Sequence, residues 1–256
     1  MNGEPQVVAA GGGVDVEGNV AAVQARIGAA AQRVGRAPSE ITLVAVTKTQ
    51  PPDVILRAYD LGLRHFGENR VEEAESKVGE LPSDITWHMI GHIQSRKAKR
   101  VVPLFQFVHS VDSVKLARRL ARSSVEQDRP LPVLLEVNVS GEASKYGLAA
   151  DRWAIDHRQL ELLLAGVREI VALPHLQVQG LMTMAPIVAD PEEARPTFVR
   201  LRQLRDELAQ HLPDSDWHHL SMGMTDDFEV AIEEGATIVR VGRAIFAPSL
   251  PPWRKG

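Results

Sequence analysis

Three places in this chain bring together residue types that can bind or transform a small molecule. The first is Lys48, which ends an apolar, β-branched run, Ile41 to Lys48, reading Ile-Thr-Leu-Val-Ala-Val-Thr-Lys. Such a run suits a strand buried on both faces, as in a parallel sheet. Side chains alternate along a strand, so Lys48 shares a face with Val46, Val44 and Thr42. If that face lines a barrel, the amine stands at the mouth above a dry core. Desolvation there favours the neutral amine, which can attack a carbonyl carbon and form a Schiff base. The plainer reading is a solvated lysine where a strand meets a loop. The second place is the pair of stretches Ser221-Met222-Gly223-Met224-Thr225 and Arg240-Val241-Gly242-Arg243. Glycines let backbone amides approach an anion, and Ser221 adds a hydroxyl, so the pair reads as a phosphate site or as two tight turns. Asp226 and Asp227 would repel an anion, so amides would do most of the holding. The third is Arg240, which by parity with Gly242 points inward and needs an acceptor there.

Other candidates are weaker. His88 and His92 lie four apart, but in a strand-like segment, so the helical metal-ligand spacing does not apply. His218 and His219 face opposite sides of a strand, and no metal site is expected. Arg96 to Arg100 is a basic patch that reads as a solvated helix face. Met182, Met184, Met222 and Met224 read as core filler, although those at strand ends could line a ligand ring.

These residues have to be positioned by something large. The 256 residues are 44% hydrophobic, enough for one α/β barrel or two small domains. Net charge is -4, which gives no bulk attraction to nucleic acid or an anionic membrane. There is no cysteine, which excludes disulfides, thiolate metal sites and a cysteine nucleophile. No apolar run approaches the roughly 20 residues of a membrane span, and no signal-peptide pattern opens the chain, so a cytoplasmic location is expected. Residues 1–13 are small and Gly-rich and are expected to be a disordered tail, with residues 14–256 one domain.

After a helix over Asp15–Val34, one alternation repeats. Strands are expected at Ile41–Lys48, Arg64–Asn69, Thr86–Ile93, Phe105–Val111, Pro132–Val139, Leu176–Met184, Trp217–Ser221 and Thr237–Gly242. A helix follows each of the first seven: Pro52–Leu61, Val71–Gly79, a short basic one through Lys99, Val114–Glu126, a long zone Ala150–Leu173 split in two, Glu192–His211 and Phe228–Gly235. Asp112 or Ser113 caps the fourth, and Asp226 with Glu229 reads as a capping box on the last. The pattern predicts an α/β fold, a single (β/α)8 TIM barrel with an extra N-terminal helix. A doubly wound sheet would carry a Gly-rich turn after its first strand, and Thr49-Gln50-Pro51-Pro52 has none. In a barrel, function collects at the carboxyl ends of strands, which also carry Glu68, Asn69, His92, Gln94, Ser110, Asp112, Asn138 and Thr183.

Longer motifs carry a resemblance. Ala45-Val46-Thr47-Lys48, His65-Phe66-Gly67-Glu68-Asn69, Trp87-His88-Met89-Ile90-Gly91-His92-Ile93-Gln94, Val137-Asn138-Val139-Ser140-Gly141-Glu142-Ala143-Ser144-Lys145, Gly180-Leu181-Met182, Ser221-Met222-Gly223-Met224 and Arg240-Val241-Gly242 occur in this order. Over about residues 40–247 the chain resembles the pyridoxal phosphate homeostasis protein family, single-barrel proteins similar to the alanine racemase N-terminal domain. The resemblance implies that Lys48 forms an internal aldimine with pyridoxal 5'-phosphate. It implies that Ser221, Met222, Gly242 and Arg243 bind the phosphate, largely through backbone amides. Arg240 matches the arginine near the pyridine nitrogen, and Asn69, Asn138 and Met182 match positions lining the pocket. Two departures stand out: residue 243 is Arg where the family usually has Ser or Thr, and Gln94-Ser95-Arg96-Lys97 replaces a Gln-x-Asn-Lys pattern. The zone Ala149–Leu173 also looks longer than the family's.

The related racemases and decarboxylases add a β-rich second domain. After the eighth strand and the short stretch that follows it, only Ala247 to Gly256 remain, and neither Tyr59 nor Tyr146 is placed to supply a second-domain base, so no catalytic residue is assigned. The expectation is a pyridoxal 5'-phosphate binder that acts in intracellular homeostasis and delivery without catalysis of its own. The alternatives are a low-activity pyridoxal-phosphate-dependent racemase or lyase, and a nucleic-acid or regulatory module using Arg96 to Arg100. Apo pyridoxal-phosphate-dependent enzymes are the expected recipients. The chain is expected to be a monomer, with a weak dimer as the other option.

Overall fold

The computed structural model describes residues 14–247; the expected tail, residues 1–13, lies outside the described residues. Strands β1 (Thr42–Val46), β2 (His65–Glu68), β3 (Thr86–Met89), β4 (Phe107–Val111) and β5 (Leu131–Asn138) are followed by a two-residue strand, β6 (Leu148–Ala149). Then come β7 (Leu176–Met182), β8 (His219–Ser221) and β9 (Ile238–Val241). Eight of them close a parallel ring in the order β1-β2-β3-β4-β5-β7-β8-β9, with β9 paired back to β1. β6 pairs only with β5, outside the ring. This is the (β/α)8 barrel expected from the pattern.

The helices are α1 (Val16–Arg33), α2 (Pro52–Asp60), α3 (Val71–Glu75), α4 (Ala98–Val101), α5 (Val114–Glu126), α6 (His157–Val171), α7 (Arg195–His211), α8 (Phe228–Glu233) and α9 (Arg243–Phe246). The extra helix α1 begins where Asp15 accepts a bond from the Gly18 amide, and it packs on α2, α8 and α9. Ser113, not Asp112, caps α5, through the Leu116 amide.

Two expectations are corrected. The zone after Ala150 is a single helix, α6, because Asp156 caps it at the Gln159 amide and residues 150–156 are spent on turns and a cap. Asp226 and Glu229 form no capping box. Asp227 is the N-cap residue of α8, Asp226 pairs with Arg243, and Glu229 pairs with Arg26 of α1.

The apolar mass lies between the strands and their helices. Inside the ring, Val44, Phe107, Leu134, Met182 and Ile238 make a separate small cluster. The rest of the barrel interior is polar. His88 and His109 are buried there, and so is Glu136. Burial holds His88 down to about 3 and His109 well below its usual range. Burial, reinforced by Asp112, pushes Glu136 up to about 7.

These shifts have opposite signs in stability. Buried neutral histidines lose stability as pH falls below about 6.5, where the unfolded chain takes up protons that the fold does not. Glu136 binds its proton more tightly in the fold, so it adds stability as pH falls from about 7 toward its ordinary value. Between pH 7 and pH 5, wild type should lose roughly 2 kcal/mol and Glu136→Gln roughly 4 kcal/mol, since the offsetting carboxyl is gone. Urea unfolding at the two pH values checks this; equal losses in both proteins would refute the assignment.

Candidate functional site

The carboxyl end of β1 is pinned on both sides of Lys48. Thr47 is buried, and its hydroxyl donates to Glu68 Oε1 at 2.7 Å. Lys77 Nζ reaches the same carboxylate oxygen at 2.8 Å and the Thr47 carbonyl at 2.9 Å. On the other side, the Thr49 amide donates to Glu73 Oε2 at 2.9 Å, and Thr49 itself adopts φ 64°. Lys48 stands between these anchors, exposed, and its ammonium has no ion pair among the described residues.

The neighbour of β1 in the closing pair is β9, in the register Val44 to Arg240 and Ala45 to Val241. One residue further on, Gly242 lies against Val46. A Cβ on Gly242 would stand 3.3 Å from both the Val46 Cβ and its carbonyl oxygen, tighter than nearly all real contacts. Glycine therefore lets the end of β9 close onto the strand that carries Lys48. Helix α9 starts at once, so the amides of Gly242, Arg243 and Ala244 have no acceptor inside it.

The loop after β8 is fixed in a similar way. Gly223 has φ +92°, and a Cβ there would fall 2.6 Å from the Ala231 side chain, so α8 is packed hard onto the turn. Asp227 folds back and accepts the Met224 amide at 2.6 Å. Arg243 pairs with Asp226 across the two loops. That pair cancels one of the two acidic charges that would repel an anion here.

Below these loops lies Arg240, buried in the barrel. Its Nη1 donates to Ser221 Oγ at 2.6 Å and its Nη2 to the Thr183 carbonyl at 2.9 Å. Burial lowers its pKa to about 10, against Asp227 and Glu136, which hold it up. It stays a cation at neutral pH. Glu136 Oε2 is buried with no hydrogen-bond partner.

The comparisons bear on the family and the fold. The family model "Alanine racemase, N-terminal domain" matches residues 19–249. The pyridoxal phosphate homeostasis protein of Pseudomonas aeruginosa is 44% identical over 229 residues, 89% of this chain and 93% of that protein. The Escherichia coli protein of the same name is 40% identical, over 91% of this chain and 96% of its own. The chain belongs to the pyridoxal phosphate homeostasis protein family. Among solved structures, PipY of Synechococcus elongatus with PLP bound is 38% identical, with a TM-score of 0.71 over 88% of this chain and 100% of that one. D-threo-3-hydroxyaspartate dehydratase from Delftia shares 21% identity at a TM-score of 0.65, which speaks to the fold alone.

The family positions divide into those that face the mouth and those already engaged. Ser221 is buried with its hydroxyl between Arg240 and His109. The Met222 amide donates to the Ile238 carbonyl at 3.2 Å, and its side chain packs among the outer apolar residues. Neither the Ser221 hydroxyl nor the Met222 amide is free for an anion. Met182 packs inside the ring. Asn69 is half-buried at the end of β2, against Gly91. Asn138 is spent on its own loop: Nδ2 donates to the Glu142 carbonyl at 2.9 Å, and Oδ1 accepts the Gly141 amide at 2.9 Å. That loop brings Tyr146 over His92, rings stacked at 3.9 Å, while His92 Nδ1 meets Asp112 Oδ2 at 2.9 Å.

The basic run is largely compensated. Lys97 and Arg100 pair with Glu72, Arg100 also with Glu75, and Lys99 with Glu126. No cluster of metal-ligating residues occurs among the described residues.

Lys77, His109 and Glu136 were missed from the sequence. Only Glu136 left a signal, a charge at an inward position of the apolar run Leu131–Asn138. The Lys77 anchor is testable. Lys77→Met leaves Glu68 buried and unpaired and should cost about 3 kcal/mol, with Glu68→Gln added to it recovering most of the loss. A denaturant double-mutant cycle measures both; additive losses would show that the pair does not hold β1.

Proposed function

We propose that this chain holds pyridoxal 5'-phosphate at the mouth of its barrel, covalently through Lys48, and serves intracellular pyridoxal phosphate homeostasis and delivery without catalysis of its own. The observation that carries the reading is one closing strand pair, β1 with β9, which sets an exposed, unpaired lysine next to a set of free backbone amides. The residues fit the cofactor. Lys48 offers an amine for its aldehyde. The amides of Gly242, Arg243 and Ala244 offer donors for its phosphate, with Gly223 shaping the facing loop. Arg243 fits through its backbone; its side chain is turned to Asp226, so the family's usual hydroxyl is not replaced. Asn69, Asn138 and Met182 frame the ring space, Asn138 by holding its loop.

When bound, the cofactor supplies an aldehyde and a ring able to withdraw electrons. Arg240 limits the second property. A fixed cation at the ring nitrogen disfavours a second proton there and leaves a weak electron sink. That supports a carrier over a catalyst, as do the names of the relatives, which are called homeostasis proteins. PipY has been solved with PLP bound. The recipients in this reading are apo pyridoxal-phosphate-dependent enzymes, served by a monomer in the cytoplasm. No helix among the described residues is long and apolar enough to cross a membrane.

One observation favours a second reading, a low-activity racemase or lyase. His92 is oriented by Asp112 at the mouth, as a general base would be. If it is one, turnover of an amino acid by holo-protein should fall by about a hundredfold or more in His92→Ala. No turnover in wild type removes this reading.

The main reading is tested by spectrum and mass. Purified protein incubated with pyridoxal 5'-phosphate should absorb in the visible, lose that band on borohydride treatment, and carry the reduced adduct on the Lys48 peptide. Lys48→Ala should show neither band nor adduct. An adduct spread over surface lysines, or a full band in Lys48→Ala, would overturn the assignment.

A further inference from the structure

The barrel interior contains a continuous chain of side-chain hydrogen bonds whose histidines no part of the cofactor reading requires. It starts at His65, half-buried at the first residue of β2, the end of the barrel remote from the mouth. His65 Nδ1 lies 3.0 Å from His88 Nε2. His88 Nδ1 lies 2.9 Å from His109 Nε2. His109 Nδ1 lies 2.9 Å from Ser221 Oγ, which accepts from Arg240 Nη1. Every internal nitrogen and oxygen of the chain faces another member.

The direction of this chain is not free. A guanidinium only donates, so Ser221 Oγ must accept from Arg240. Ser221 is fully buried, and His109 is the other partner of its oxygen, so its single proton goes to His109 Nδ1. A neutral imidazole with an acceptor at Nδ1 carries its proton at Nε2. His109 then donates to His88, and His88 to His65, each in the same tautomer. Burial keeps His88 and His109 neutral, as the bonding pattern demands. His219 and Phe107 pack around these rings and offer no competing carboxylate.

We propose that His65, His88 and His109 form a directional relay that positions the Ser221 hydroxyl and, through it, the Arg240 guanidinium, so that the far end of the barrel sets the geometry of the cation at the mouth. These three are positioning residues. The relay itself needs no cofactor; its consequence for ligand binding rests on the proposed pyridoxal 5'-phosphate site.

The relay predicts how a change at one end travels. His65→Leu removes the acceptor for His88 Nε2–H. Reversing the chain would orphan both His88 Nε2 and the Ser221 proton, so the tautomers stay and the buried His88 N–H is left without its acceptor. The His88 ring then shifts to find another, which draws His109 from Ser221 and disturbs the hold on Arg240. His65→Gln keeps a carbonyl acceptor and should keep the original direction.

The experiment has two arms. Long-range 1H–15N spectra of the histidine rings in cofactor-free protein read the tautomers directly. Wild type, His65→Gln and His65→Leu should all show His88 and His109 protonated at Nε2, with the His88 Nε2 signal displaced in His65→Leu alone. In the second arm, dialysis of protein loaded with pyridoxal 5'-phosphate should show about tenfold weaker retention in His65→Leu than in His65→Gln. Nδ1 tautomers or charged rings in wild type, or an unmoved His88 Nε2 signal in His65→Leu, overturn the relay. A displaced His88 signal with equal retention overturns its positioning role. If no variant, wild type included, retains the cofactor, the binding reading fails, and the spectra still decide the relay.

Discussion

The closing pair of the barrel is the constraint on which everything else depends. A parallel ring of eight strands can close only if the first and last strands find one register, and here Val44 lies beside Arg240 and Ala45 beside Val241. Gly242 against Val46 makes the end of that pair close, since a Cβ there would press on Val46 at 3.3 Å. Because the strands run parallel, their carboxyl ends emerge together. An amine at residue 48 and amides at residues 242–244 become neighbours through backbone geometry alone. A slip of one residue in β1 would turn Lys48 to the helix-facing side, and one in β9 would turn Arg240 out of the core.

A second constraint follows from where Arg240 sits. Removing a guanidinium from water is costly unless its donors are satisfied. The barrel answers with polar side chains where most barrels place branched apolar ones. Ser221 and the Thr183 carbonyl take two donors, and histidines continue the bonding through the interior. Glu136 is left with a buried oxygen unpartnered, and burial pushes its carboxyl up to about 7, so it titrates around neutrality. The interior is therefore stabilised less by burial than a wholly apolar one would be, and it is sensitive to pH from both sides.

Much of this was legible in the sequence because parallel strands buried on both faces announce themselves as apolar runs. The eight runs gave the fold, and the inward parity of Arg240 with Gly242 matches its burial. Boundaries were too long, as at Ile41–Lys48, since the sequence cannot show where pairing ends. The zone after Ala150 misled because its residues have helical composition while the chain there turns toward the Asp156 cap. Asp226 and Glu229 had capping-box spacing, but each found a partner on a distant helix or loop. The histidine chain was invisible for the same reason. His65, His88 and His109 sit on three separate strands, and only ring closure brings Ser221 to them.

In the proposed function, one lysine and one amide cradle act together on a single phosphorylated aldehyde. Absorbance titration of cofactor-free protein with pyridoxal 5'-phosphate, and in parallel with pyridoxal, which has the aldehyde but no phosphate, separates the two contributions. Saturation at one equivalent per chain with the phosphate ester, at concentrations where pyridoxal gives no band, and displacement by inorganic phosphate, are the expected results. Equal binding of both aldehydes, unaffected by phosphate, would contradict the claim.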